Sequence, residues 1–297
     1  MSQLQDVLSG YSRGLYSSWF FYKPDRLLFD AGEGIIDRLS KRIYAIQRVL
    51  LSHGHEDHIC GIPAFVNLRN LSAGDREKAL TIYYPKGDSW VKLLSGYVDK
   101  KQRKFLRYDL IWESVEPGDQ IDLGQPNRPR YIEAFASPHR PSGLSLGYRI
   151  MEQRQSLRPE FADLSQGEIS TLIRERGKDQ ICQTRMHNVF TYTGDTTGCD
   201  VETAAGADVL MHEATYFADD CPAKCYHCTF ERALDIARDA GVKRLVLFHA
   251  SGGFMERELR KRLEALLEAK RIEFPVYLVW RYRVFAYNED AGQAEDA

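Results

Sequence analysis

Nowhere in this 297-residue sequence is there an uninterrupted apolar run near the ~18 residues needed to cross a bilayer. The opening MSQLQDVLSGYSRG lacks a basic flank followed by an apolar core, so no export signal is read and the cytosol is the expected compartment, with no membrane partner. A strong charge of either sign is also missing: 40 basic against 42 acidic residues leave a net charge of -2. That excludes nucleic-acid binding by bulk electrostatics and leaves only a local patch for such contact. There is no short-period repeat, and no linker biased enough to force a domain boundary. The six cysteines (Cys60, Cys182, Cys199, Cys221, Cys225, Cys228) read as reduced thiols, because a chain this long can build a core without disulfides.

Histidine is scarce as well. Of only eight, three fall within His53-Gly54-His55-Glu56-Asp57-His58, directly behind the apolar run RVLL. Three further apolar runs end on a metal-competent residue: VFTYTG at Asp195, DVLM at His212 and RLVLF at His249. Loops at the carboxyl ends of strands are where ligands collect, since the sheet holds them rigidly and leaves them open. Imidazole and carboxylate are the ligands zinc takes outside thiolate sites. A rigid loop can offer His53 and His55 to one cation while the next turn offers Asp57 and His58 to a neighbour, with His139, Asp195 and His249 completing the set. Each residue has a plainer reading: a solvated loop for the hexapeptide, an exposed loop histidine for His139, a turn aspartate for Asp195, a strand cap for His249. Together those readings require several coincidences.

Elsewhere, YSSWFFY and LLF read as strands around a KPDR turn, and TIYYP, DLIWESV, IDLG, RYIEAFAS and LSLGYRI as further strands. IIDRLSKRI, DHICGIPAFVNLRN, KGDSWVKLLSGYVDKKQRKFL, CTFERALDIARDAG and ERELRKRLEALLEAKR read as helices, the last with Leu259, Leu263, Leu266 and Leu267 on one face. Residues 152–176 are polar and read as helical or irregular. Alternating strands and helices predict sheets covered by helices, in one domain over residues 1–287, with 288–297 an acidic disordered tail.

HGHEDH has the form of the H-x-H-x-D-H signature of the metallo-β-lactamase superfamily. LLFDAGEG, HRPSGLSLGYRI, TYTGDT, HEATY and YHCTFERALDIAR resemble, in the same order, the motifs of its ribonuclease Z branch. The resemblance runs from about Ser17 to His249. It implies an α/β, α+β-layered αββα sandwich of two mixed sheets flanked by helices. It also implies a site for two zinc ions, with manganese or iron as alternatives. His53, His55 and His139 would hold one ion, Asp57, His58 and His249 the other, and Asp195 would bridge. Asp57 would orient the attacking hydroxide, and His227, held by Glu213, would protonate the leaving group. The implied reaction is phosphodiester hydrolysis, as in 3′ processing of transfer-RNA precursors. Alternatives are a related hydrolase of a small phosphodiester, cyclic nucleotide, ester or lactam, and a catalytically silent scaffold, which loss of a ligand would mark. A homodimer is common in that branch.

Several features depart from the branch. The Gly-rich N-terminal strand and loop are reduced to SRGLYSS, the His139 to Asp195 interval lacks a Gly-Pro-rich arm that grips transfer RNA, and FHASGGF follows the last histidine. Cys221, Cys225 and Cys228 have the spacing of iron–sulfur ligands, and with His227 could hold a structural zinc; an isolated three-cysteine motif is weak evidence for either. Glu56 and Cys60 take no role, His212 reads as a supporting residue and His187 as exposed. The run with Lys100, Lys101, Arg103, Lys104 and Arg107 reads first as a solvated helix face, with phosphate contact as the alternative.

Overall fold

The computed structural model describes residues 3–71, 78–124, 129–139 and 143–289. Among these, Leu8–Arg13 (β1), Ser17–Tyr22 (β2), Leu27–Phe29 (β3), Arg48–Leu50 (β4), Leu80–Pro85 (β5) and Leu110–Val115 (β6) form one sheet in that order. It is antiparallel from β1 to β3 and parallel from β3 to β6. The second sheet holds Gln120–Asp122 (β7), Arg130–Ala136 (β8), Leu146–Leu157 (β9), Cys182–Tyr192 (β10), Leu210–Glu213 (β11), Leu245–Phe248 (β12), Val276–Trp280 (β13) and Arg283–Tyr287 (β14). Strands β10 to β13 are parallel, and antiparallel strands flank them on both sides.

Why these strands are apolar throughout follows from what covers them. Side chains alternate between faces, so Phe20, Phe29, Leu50, Tyr192 and Phe248 point into a core between the two sheets. Trp19, Phe21, Leu28 and Val49 point outward, where the helices Ile62–Leu71 and Ser89–Gln102 cover them. On the other side Leu210, Leu245 and Leu247 pack under Phe230–Asp239 and Glu256–Ala269. With both faces of each sheet buried, the result is the four-layer αββα arrangement expected from the sequence. Leu259, Leu263 and Leu267 are buried, as the amphipathic pattern required. The predicted helix over 57–70 is two pieces, Glu56–Ile59 and Ile62–Leu71, broken at Gly61, where a Cβ would meet the backbone oxygens of Ala31 and Gly32.

One stretch differs from expectation. Residues 152–157 are not irregular but continue β9, pairing from Glu152 with His187 out to Leu157 with Cys182. The helix Gln166–Arg176, none of it buried, lies between the two strands in sequence. Beyond the buried Glu152 the ribbon has neither face buried and no apolar alternation, so hydropathy hides it. The strands β13 and β14 also went unread. The proposed disordered tail falls largely on 290–297, outside the described residues.

A buried charge cluster ties the sheets together. Arg130 on β8 pairs with Asp25 of the β2–β3 turn at 2.9 Å and with Glu152 on β9, and Glu152 also accepts from Arg154 Nε at 2.6 Å. Asp25 and Glu152 side chains are 1% exposed. Removing one partner of such a group strands the other charges in low dielectric. Arg130→Met is therefore expected to cost ~3–5 kcal/mol, read from urea unfolding; a loss under ~1 kcal/mol would mean the acids find water instead.

Candidate metal centre

The candidate ligands leave the carboxyl ends of four strands. β4 runs through Ser52 to His53, and after Gly54 and His55 the short helix Glu56–Ile59 carries Asp57 and His58. β8 leads to His139, β10 to Asp195 and β12 to His249. Two glycines are required by close approach. A Cβ at Gly54 would lie 2.3 Å from Asp88 Oδ1, and Asp88 accepts the Gly54 N–H at 3.0 Å while capping the helix Ser89–Gln102. Gly194 has φ 61°, and a Cβ there would meet the Ser52 Cβ at 2.5 Å. His249 and Asp30 hold φ of 65° and 54°, costly for non-glycine residues and typical of sites where surroundings enforce the backbone.

The histidine rings are oriented from behind. Asp30, fully buried after β3, accepts from the Ser52 N–H at 2.7 Å, the Ser52 hydroxyl at 2.8 Å, the Tyr192 hydroxyl at 2.6 Å and His58 Nδ1 at 2.7 Å. Since the Ser52 proton goes to Asp30, Ser52 Oγ accepts from His53 Nδ1 at 3.0 Å. Thr215 likewise donates to Glu213 at 2.7 Å and accepts from His249 Nδ1 at 2.9 Å. His139 Nδ1 donates to the Tyr226 carbonyl at 2.8 Å. Each of these four rings thus carries its proton on Nδ1 and turns the Nε2 lone pair inward.

Those inward atoms converge on Asp195. Its Oδ2 lies 3.3 Å from Nε2 of His58 and of His249, and 3.9 Å from Nε2 of His53 and of His139. Asp57 Oδ2 is 3.6 Å from Nε2 of both His58 and His249. Ligand atoms of His53, His55 and His139 lie within 4.8 Å of one another, as do those of Asp57, His58 and His249. The structure therefore brings together all seven residues singled out in the sequence.

A cation fits this donor set. Nε2 of His53, His58, His139 and His249 and Oδ1 of Asp195 are buried with no hydrogen-bond partner among the described residues. Buried polar atoms are ordinarily paired, so five converging orphans mark a place for a positive ion. The ionisation equilibria agree. Burial would raise the Asp195 pKa, but the facing His249 and His58 hold it well below the carboxylate range. Burial would lower that of His58, yet Asp195, Asp57 and Asp30 hold it well above the imidazole range, the proton taking a cation's place. Burial lowers His53 and His139, keeping their lone pairs available.

Glu213, at the end of β11, is fully buried and accepts from the Thr196 N–H and from His227 Nδ1, at 2.8 and 2.9 Å. His227 differs from the other rings: its side chain is 20% exposed and stacks at 5.0 Å on His249. Burial opposes its charge, but the bond to Glu213 pushes its pKa up to about 9, so it carries a proton at neutral pH. Thr229 caps the helix Phe230–Asp239 behind it. Cys228 is packed into the apolar core, and none of the metal-competent groups among the described residues includes a thiol, so the cysteine-cluster readings fail.

His212 is buried and donates to the Glu213 carbonyl at 2.6 Å. His187, expected exposed, is half-buried and hydrogen-bonded through Nε2 to Asp208 at 2.7 Å, an acid just before β11 whose N–H donates to the neighbouring Asn188 carbonyl. Reasoning on the sequence missed Asp30 and Asp88 as supports. Asp30 had a usable signal, since LLF runs into it as other strands run into ligands. Asp30→Asn, which puts an amide N–H where protons converge, is expected to weaken metal affinity ~10–100-fold, measured by competition with a chromophoric chelator; unchanged affinity would remove the ring-orienting role.

Residues 16–151 match the metallo-beta-lactamase superfamily model and 178–250 that of the beta-lactamase superfamily domain. Ribonuclease Z of Listeria monocytogenes is 31% identical over 293 residues, covering 88% of this chain and 89% of the relative. The chain belongs to the ribonuclease Z family of the metallo-β-lactamase superfamily. Solved structures agree on the fold. Human tRNase Z, short form, superposes with a TM-score of 0.63 at 19% identity over 94% of this chain and 98% of that one. The metallo-beta-lactamase fold protein YhfI of Bacillus subtilis gives 0.62 at 20% identity over 94% and 99%. This ribonuclease Z family member is a metal-dependent hydrolase of endoribonuclease type, and its family implies divalent metal binding, for which the His and Asp triads are candidates.

Proposed function

We propose that this ribonuclease Z-like hydrolase is a cytoplasmic single-domain phosphodiesterase that uses two zinc ions and cleaves transfer-RNA precursors on the 3′ side. The observation that carries the two-ion reading is the division of seven donors into two triads around one carboxylate. His53, His55 and His139 would hold one ion, and Asp57, His58 and His249 the other, with Asp195 between them. Ions bound there would supply hydroxide near neutral pH, by lowering the pKa of water from 15.7 to about 7, and would draw charge from the phosphoryl oxygens.

The chain's own groups do the rest. Asp57, less buried than Asp195, orients the attacking oxygen by accepting a hydrogen bond from it. His227, protonated through Glu213, stands on the rim and donates to the leaving oxygen. RNA as substrate is supported by the 31% identity to a protein named ribonuclease Z. Metal analysis with turnover assays tests the reading: two zinc ions per chain, with hydrolysis of both a chromogenic phosphodiester and a precursor transfer RNA, are expected. Turnover of the small ester alone would remove the RNA assignment, and fewer than two metals with no turnover would remove the mechanism. Sedimentation decides whether the homodimer common in the branch forms.

A further inference from the structure

Between Glu213 and His227 the chain makes a loop. β11 ends at Glu213, residues 218–228 form neither helix nor strand, and the chain returns as the helix Phe230–Asp239. Two contacts to the metal centre hang from the returning limb. Tyr226 offers its carbonyl to His139 Nδ1 at 2.8 Å, and His227 Nδ1 donates to Glu213 at 2.9 Å while its ring stacks on His249 at 5.0 Å. At the neck of the loop the Thr215 N–H donates to the Cys228 carbonyl and the Phe230 N–H to the Tyr216 carbonyl, both at 2.9 Å. Phe217 stacks there on Phe230 at 4.4 Å.

The outgoing limb is held from another helix. Arg262 projects from Glu256–Ala269, where the buried Leu259 and Leu263 root it in the core. Its Nη2 donates to Asp219 and its Nη1 to Asp220, at 2.5 and 2.6 Å, from 43 and 42 residues away in sequence. The same guanidinium lies 4.1 Å from the centre of the Phe217 ring and 5.8 Å from that of Phe254, in the segment that follows His249. Exposed ion pairs contribute little singly, and Asp219 is 75% exposed. A flat cation that forks to two carboxylates while lying over an aromatic ring is more restrictive, because each contact fixes the orientation that the others need. The neck, built of backbone bonds and a stacked ring pair, does not depend on this cation, so losing it would free the loop without unseating the strands.

We propose that Arg262 is a positioning residue for His227: its hold on Asp219, Asp220 and Phe217 fixes the loop 218–228 and so keeps the imidazole on Glu213 and against the ring of His249. This rests on the general-acid reading of His227, and Arg262 acts through the loop without meeting substrate.

The test compares wild type, R262A and H227A, each zinc-loaded, on a precursor transfer RNA and on a chromogenic phosphodiester. Misplacing a reacting group by about 1 Å can cost ~10²-fold, so R262A is expected to lower kcat on the RNA about 10–100-fold, with KM changed less than about twofold and kcat on the ester less than about threefold. A second readout needs no turnover. Cys221 and Cys225 are half-buried on the loop, whereas Cys199 and Cys228 are buried. Local opening in R262A should speed iodoacetamide labelling of the first two at least about fivefold, read by peptide mass spectrometry, and leave the other two protected. Should R262A expose all four, it has unfolded, and D219N/D220N, altered only on the loop surface, carries the test with the same expected results. An unchanged ratio of RNA to ester turnover in R262A, where H227A lowers that ratio, overturns the proposal and spares the general-acid reading. If H227A lowers both substrates alike, or the RNA is not cleaved at all, that reading fails and labelling alone decides. Faster labelling of the loop thiols then supports the clamp, and unchanged labelling overturns it.

Discussion

Asp195→Ala is expected to lose both metal ions and to lower turnover of any phosphodiester more than ~100-fold, beyond the usual cost of losing a residue that only supports a ligand. The reason is geometric. Asp195 Oδ2 lies within 3.9 Å of Nε2 on His53, His58, His139 and His249 alike. Without it, Asp57 still faces His58 and His249 but His53 and His139 lose the carboxylate they share, and two cations held there would repel across low dielectric with no anion between them. Metal content by mass spectrometry and turnover of a chromogenic phosphodiester would be measured together. A variant that keeps two ions and a tenth of the activity would show that Asp195 does not bridge.

His227→Ala should separate substrates instead of abolishing metal. Loss of a positioned acid costs ~10²–10⁴-fold where the leaving oxygen needs a proton, as an RNA alkoxide does. A nitrophenolate departs without one, so turnover of the chromogenic ester should fall by no more than about tenfold. Equal losses on both substrates would sink the general-acid role. The pH profile carries the same signature. The folded pKa of His227 is raised to about 9 with the site metal-free, so the acid is present at pH 7 and lost as pH rises through its pKa. Bound cations lower that value, so the alkaline limb for RNA should lie at or below about 9, with no matching limb for the small ester.

The legible parts of the site were the local ones. HGHEDH announces itself because both triads draw on a single loop, and Gly54 is explained once Asp88 is seen pressed against it. His139, Asp195 and His249 were legible because an apolar run with both faces buried must stop before a polar residue, and such stops are visible without knowing which strands pair. The outer ends of β9 and β10, residues 153–157 and 182–186, were illegible for the opposite reason, having no buried face to impose a pattern. Asp30 was passed over although it follows a strand, because nothing near it in sequence shows four donors arriving.

By itself, then, the sequence determined sheets covered by helices and the strand-end positions of His53, Asp195 and His249, which depend on side-chain type and on periodicities of a few residues. The αββα class and the pairing of Glu213 with His227 followed from the resemblance of its motifs to the ribonuclease Z branch. Only the tertiary structure decided which nitrogen of each ring faces the metal. That choice is made by acceptors far along the chain: Tyr226, whose carbonyl orients His139, is 87 residues away, Thr215 orients His249 from 34 residues away, and Asp30, 28 residues from the His58 it orients, is itself held by the Tyr192 hydroxyl 162 residues away. A ring's tautomer follows the partner behind it, and such partners meet only when the two sheets close on one another.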